Sequence, residues 1–337
     1  MNAVNEHKKF GMAIEKWRVL MLAAFAVLAA GGFLCSVLSG AVAIPVSALG
    51  DILNGGGDNA SRQILLNIRL PRAIVAALVG MNLAVSGAVL QAVMKNPLAD
   101  PHIIGISSGA GLTGIAILIL FPAYTYLMPA AAFTGAMVAA IMIYILAWKN
   151  GIKPVRIILA GVAVSAFLGA AISSLLIFYS DRVHGALLWM VGGLAARSWH
   201  DVTLIVPYTL AGLTLSLAGA YYLNLLQLGD DMARGLGLSV ERARLGLTAI
   251  ASLLAASAVS VAGLLGFVGL IVPHMVRLLG GTDYRYIIPG SALLGMAVVT
   301  WCDTVSRVIL APVELPVGII MAFLGAPFFL YLLRREL

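Results

Sequence analysis

The sequence predicts an all-α integral membrane protein of about ten transmembrane helices, arranged as two inverted halves of five. Three observations lead there. The 337 residues are 61% hydrophobic, with a mean hydropathy of +1.03. Only 10% are charged, against about 25% in soluble domains. Uncharged runs at 19 to 50, 73 to 94, 102 to 148, 157 to 180, 202 to 229, 245 to 276, 286 to 302 and 315 to 333 each reach or approach the roughly 20 residues that cross a bilayer as a helix.

Prolines, glycines and charges cut these runs into ten segments. The first, about 17 to 40, follows the basic stretch KKFGMAIEKWR. Although AVA at 41 to 43 imitates a cleavage site, the uncharged run is more than twice the roughly 7 to 15 residues of a signal-peptide core. It is read as a retained span, with residues 1–16 as a cytoplasmic N-terminal segment and 17–337 as the transmembrane domain. The second, about 63 to 91, carries RLPR near its start and stops short of Lys95 and Pro97. The third and fourth, 102 to 120 and 127 to 148, divide the longest uncharged run around Pro122 and Pro129. The fifth, 155 to 180, lies between Pro154 and Asp181, and the sixth, 200 to 224, precedes the most charged internal stretch. The seventh and eighth, 242 to 261 and 264 to 280, separate at Gly263; the ninth, 286 to 308, ends at Arg307, and the tenth, 316 to 333, lies between Pro316 and Arg334.

With the N-terminus in the cytoplasm, fifteen of the 21 Lys and Arg residues fall inside. Six fall outside: Arg62, Arg69, Arg72, Arg182, Arg197 and Arg307. That bias puts both termini in the cytoplasm. The net charge of +7 is thereby an orientation signal, and nothing resembles a nucleic-acid surface. Cys35 and Cys302 lie within apolar spans, which suggests neither a disulfide nor a metal site. Five crossings reverse direction, so two halves of five would be inverted. DPHIIG at 100 to 105 echoes VPHMVR at 272 to 277, and RLPR at 69 to 72 echoes RARL at 242 to 245. Small residues recur every four positions at Gly80, Ala84, Ala88 and Ala92, and again at Gly161, Ser165, Gly169 and Ser173. Such faces suit close helix packing.

The stretch NPLADPHIIGISSGAG, 96 to 111, admits two readings. Its GISSG matches the G-x-S-x-G pattern of a hydrolase elbow, with Ser107 as nucleophile and His102 or His274 as base. A backbone reading explains more of it. Pro97 and Pro101 break the helix, Asn96 and Asp100 accept hydrogen bonds from freed amides, and Gly105, Gly109 and Gly111 allow close helix contact. No catalytic residue is expected. An ion-coupled secondary transporter would want buried acids in the membrane, for which Asp303, four residues before Arg307, is the one candidate.

Taken together, RLPR, GAVLQAVMKNPLADPHIIGISSGAG, LGDDMARGLGLSVERAR, GFVGLIVPHMVRLLGGTDYR, DTVSR and ELPVGIIMAFLGAPFFLYLL resemble the permease family of type II ATP-binding-cassette importers, from about residue 17 to the C-terminus. That family moves ferric siderophores, haem and cobalamin across the cytoplasmic (inner) membrane of bacteria. The resemblance implies a homodimer, two cytoplasmic ATPase subunits and an extracytoplasmic substrate-binding protein. The chain has no phosphate-binding G-x-x-x-x-G-K-[ST] loop, so ATP and Mg belong to the partner and this chain needs no cofactor. The charged stretch 228 to 244 is similar to the family's coupling helix. Leu228, Gly229, Asp230, Asp231, Ala233, Arg234, Gly235, Leu236 and Gly237 would contact the ATPase there, with both aspartates at a helix N-terminus and Gly235 and Gly237 ending the helix. By the same resemblance Arg69, Arg72 and Arg307 would meet carboxylates on the two lobes of the binding protein.

Overall fold

A computed structural model describes residues 2–40, 59–102, 105–149 and 154–336; the AVA triplet at 41 to 43 and Lys153 lie outside the described residues. Among these residues there are thirteen α-helices and no strand. We number them α1 (Asn2–Leu38), α2 (Asn59–Met94), α3 (Ile106–Leu120), α4 (Met128–Ala147), α5 (Pro154–Phe178), α6 (Val183–Val191), α7 (Trp199–Ala218), α8 (Ala220–Gln227), α9 (Asp230–Gly235), α10 (Val240–Ala262), α11 (Val268–Gly280), α12 (Tyr284–Val308) and α13 (Val317–Glu336).

Each of the ten expected segments overlaps at least one of these helices. Seven are long and apolar enough to cross a membrane, while α3, α11 and the apolar part of α13 are shorter. For α3 and α11 the shortening has a local cause. The residues before them, Gly105 at φ 100° and Phe267 at φ 69°, are left-handed, so neither helix can begin as early as the apolar run does. The Pro-His echo does not mark equivalent positions: Pro101 and His102 lie in the loop before α3, whereas Pro273 and His274 lie inside α11. The left-handed caps are the better match between the two halves. Helix α6 had no counterpart in the expectation, because nine residues are too few to span.

Mean hydropathy does not sort the helices into centre and periphery. The most apolar stretches of α1 and α2 are nearly equally apolar, yet 28% of the first and 83% of the second are buried. Small residues make the difference, since helices in lipid associate by close packing rather than by hydrophobic exclusion. A Cβ on Gly80 would run into the carbonyl of Gly295 in α12, and one on Gly87 into Gly269 in α11. Helix α2 therefore sits at the centre, against α10, α11 and α12. Buried polar side chains tie it in place. Asn82 Nδ2 donates to Thr209 Oγ1 at 2.9 Å and Ser257 Oγ at 3.0 Å, and Ser86 Oγ donates to the Ala251 carbonyl at 2.7 Å. The second small-residue stripe packs only at one end. Gly161 lies against Gly105, but a Cβ on Gly169 would meet nothing within 4 Å and Ser173 is exposed.

Candidate functional site

At one end of the bundle the three expected arginines come together, and they turn inward. Arg69, Arg72 and Arg307 are only 4%, 7% and 5% exposed. Arg69 Nη1 donates to the Leu38 carbonyl at 2.7 Å. Arg307 donates to the last turn of α1, from Nη2 to Ser36 Oγ at 2.9 Å and from Nη1 to the Ser39 carbonyl at 3.1 Å. Its Nε lies 3.2 Å from Asp303 Oδ2. Arg72 Nη2 donates to Asp303 Oδ1 at 2.9 Å, and its Nη1 donates to Glu314 Oε2 at 2.7 Å. Asp303 is fully buried and shared by two guanidiniums. The carboxylate is fixed between the Arg72 and Arg307 guanidiniums, the geometry of a structural ion pair.

The inward turn has a physical cause. A guanidinium at the apolar end of a helix bundle must find acceptors, and the chain supplies them from the end of α1, from α12 and from the α12–α13 connection. Sequence reasoning missed Glu314 and Arg197, which border a cavity of about 320 Å³ next to Arg72. The signal present in the sequence was ELP at 314 to 316, which carries part of the family resemblance but does not announce a partner for an arginine 242 residues away.

In the charged stretch, α9 begins after Gly229 at φ 104° and is followed by Gly237 at φ 86°. Gly235 closes the helix itself and is not among the residues with positive φ. Asp230 does more than sit at the helix N-terminus, since it accepts from Lys95 Nζ at 2.8 Å and from Arg244 Nη2 at 2.8 Å. Burial pushes its carboxyl up, but these two cations outweigh burial and hold it below the ordinary value of 3.8. Asp231 and Arg234 form an exposed pair at 3.4 Å, which contributes little. Ala233 is fully buried beneath the helix, while Leu228, Met232 and Leu236 are each more than half exposed. Met232 and Leu236, four apart, share one face of α9 and its C-cap, while Leu228 precedes the helix at the end of α8. Nearby, Asp283 caps α12 and is held at about 2, chiefly by Arg285.

The bend between α2 and α3 is built from the expected groups. Lys95 is left-handed at φ 49°, Asn96 Oδ1 accepts from the Leu98 amide at 2.9 Å, and Asp100 Oδ1 accepts from the His102 amide at 2.7 Å. Pro97 and Pro101 lie within this loop. A Cβ on Gly105 would come within 2.7 Å of Ser165 Oγ, and one on Gly109 would strike the Gly135 carbonyl of α4. Ser107 is buried in the first turn of α3, and His274 packs edge-on against Phe328. A second cavity of about 750 Å³ lies beside this bend, lined by Asp100, His102, Leu264, Phe267, Ile319 and Phe323 among others. Its walls are mainly apolar, and among the described residues no group of three His, Cys, Asp or Glu could hold a metal.

The chain is 40% identical over 282 residues to the Fe(3+)-citrate import system permease protein YfmE of Bacillus subtilis, covering 83% of this chain and 85% of that one. It is 45% identical over 283 residues to the cobalamin import system permease protein BtuC of Halobacterium salinarum, covering 84% and 76%. The hemin transport system permease protein HmuU of Yersinia pestis is 39% identical over 293 residues, covering 84% and 86%. A solved inward-facing structure of a metal-chelate type ABC transporter superposes with a TM-score of 0.79 at 27% identity, covering 96% of this chain and 99% of that one. The helical fold, the order of its elements and a match to the family model from residue 28 to 335 agree: the chain belongs to the FecCD transport family.

Proposed function

We propose that this chain imports an iron chelate, haem or cobalamin across the cytoplasmic membrane, as a homodimer driven by two cytoplasmic ATPase subunits and supplied by an extracytoplasmic binding protein. The family is one of transport permeases, and its curated relatives are permease subunits for iron-citrate, cobalamin and haem. The observation that supports the working parts best is α9: pinned from below by Asp230 and Ala233, it offers Met232 and Leu236 to a partner, with Leu228 exposed just before it. Exposed apolar residues on a short helix fixed by two ion pairs to neighbouring elements suit the transmission of force from an ATPase. With both termini in the cytoplasm, this end faces the ATPase and the arginine cluster faces the binding protein. ATP and Mg act in the partner subunits. The apolar walls of the larger cavity suit a chelate that keeps its metal wrapped.

The test is transport in liposomes containing the permease, its own ATPase subunits and its own binding protein. A ferric siderophore, haem and cobalamin are offered separately. ATP-dependent uptake of one of them, lost on Met232→Asp, is the expected result. Uptake that follows an ion gradient without ATP would overturn the proposal.

A further inference from the structure

We propose that Arg72 and Arg197 form a site for an acidic side chain of the docking protein, and that Glu314 holds this site as an intramolecular placeholder until the partner arrives. This rests on the importer reading and its orientation, and adds to them the residue that must give way. The supporting observation is the inequality of the two carboxylates on Arg72. Its Nε and Nη2 edge is committed to Asp303, at 3.2 and 2.9 Å, and the Asp303 side chain is 0% exposed and also gripped by Arg307. Its Nη1 holds Glu314 at 2.7 Å, and the Glu314 side chain is 40% exposed. Breaking the first pair would strand buried charge. The second competes with water and holds weakly, so it is the one that exchanges.

The cavity of about 320 Å³ opens directly beside the exchangeable bond, with Arg72, Arg197, Glu314, Leu194, Leu315 and Pro316 on its walls. Arg197 is anchored by Asp201, whose Oδ1 lies 3.5 Å from its Nη1. A carboxylate entering this space can replace Glu314 on Arg72 and find a second guanidinium on the same wall. The exchange leaves the charge of the cluster unchanged and no guanidinium without a partner. Glu314 moves into water, where its charge is well solvated.

Glu314 also belongs to the connection that anchors α13. The next residue, Leu315, donates its amide to the Ser306 carbonyl at 3.0 Å, and Gly318 donates to the Gly192 carbonyl at 3.1 Å. Gly318 fits so tightly that a Cβ would strike the Val191 carbonyl. Beyond it, Ile319 and Phe323 of α13 form a wall of the larger cavity. Release of Glu314 therefore removes one side-chain tie from the segment that leads to the wall of the larger cavity, while its backbone bonds remain.

The experiment uses the permease with its ATPase subunits in nanodiscs and measures binding of its own binding protein. Glu314→Gln should tighten binding about 2- to 5-fold, the range that an exposed ion pair permits, and Arg197→Gln should weaken it by a similar factor. Removal of simple charge repulsion would also tighten binding, so Glu314→Gln is repeated in an Arg72→Gln background, where a placeholder's gain disappears. A cysteine introduced by Leu315→Cys should react faster with an impermeant maleimide when Glu314 is Gln, with no partner present. Unchanged affinity in Glu314→Gln, a gain that persists without Arg72, or unchanged labelling would each overturn the placeholder. Failure of the unaltered complex to bind its binding protein would overturn the docking reading itself.

Discussion

Asp303 and Glu314 both hold Arg72, yet they stand at opposite ends of the range of ion-pair energies. Asp303→Ala leaves Arg72 and Arg307 buried without their shared carboxylate, a loss that typically costs about 3–5 kcal/mol. Glu314→Ala removes a half-exposed partner worth less than about 1 kcal/mol. Thermal denaturation in detergent should show a large fall in Tm for the first and little change for the second; equal falls would refute the division between fixed and exchangeable partners. The glycines at and just after the end of α9 divide in the same way. Gly237 is at φ 86°, where a β-branched side chain costs on the order of 1–3 kcal/mol of strain. Gly235 is helical and a Cβ there would meet nothing within 4 Å. Gly237→Val should therefore lower transport and ATPase stimulation with the dimer still assembled, and Gly235→Val should leave both nearly intact. Inhibition by Gly235→Val would mean that its bare backbone touches the partner.

Among elements, α9 depends on a single carboxylate. Because Asp230 is held below its ordinary value in the folded chain, its contribution is fully present above that value and is lost as pH falls through the lowered one. Hydrogen exchange should show protected amides from 233 to 238 at neutral pH. Their protection should drop in acid below the ordinary value of 3.8 while α10 stays protected. Asp230→Asn should bring that loss to neutral pH, and a segment equally protected in this variant would refute the pinning. The α2–α3 bend makes a different demand, that of space. Gly109→Leu pushes a side chain into the Gly135 carbonyl, and Gly105→Val both strains φ 100° and meets Ser165. Either should lower folded yield or transport severely, whereas Ser107→Ala should leave transport near normal. Loss of activity in a correctly folded Ser107→Ala protein, with labelling by a serine-reactive probe, would contradict the backbone role of this stretch.

For the whole molecule, the positions of ten apolar segments were legible because lipid demands long uncharged runs with internally bonded backbone. The short helix α9 was legible because paired aspartates followed by glycines mark a helix start and stop, and the bend because proline, glycine and Asx residues act on their own neighbours. Those signals are local, and local chemistry is written in consecutive residues. Which helices lie at the centre was not legible from hydropathy, because lipid and protein interior are equally apolar to a leucine. The contact of Gly80 with Gly295 and of Gly87 with Gly269 settled that. Only the tertiary structure decided that the arginines turn inward and that Asp303 and Glu314 share Arg72, since these partners are 231 and 242 residues apart. A buried charge takes whichever acceptor the fold brings within 3 Å, and no pattern along the chain records which one that will be.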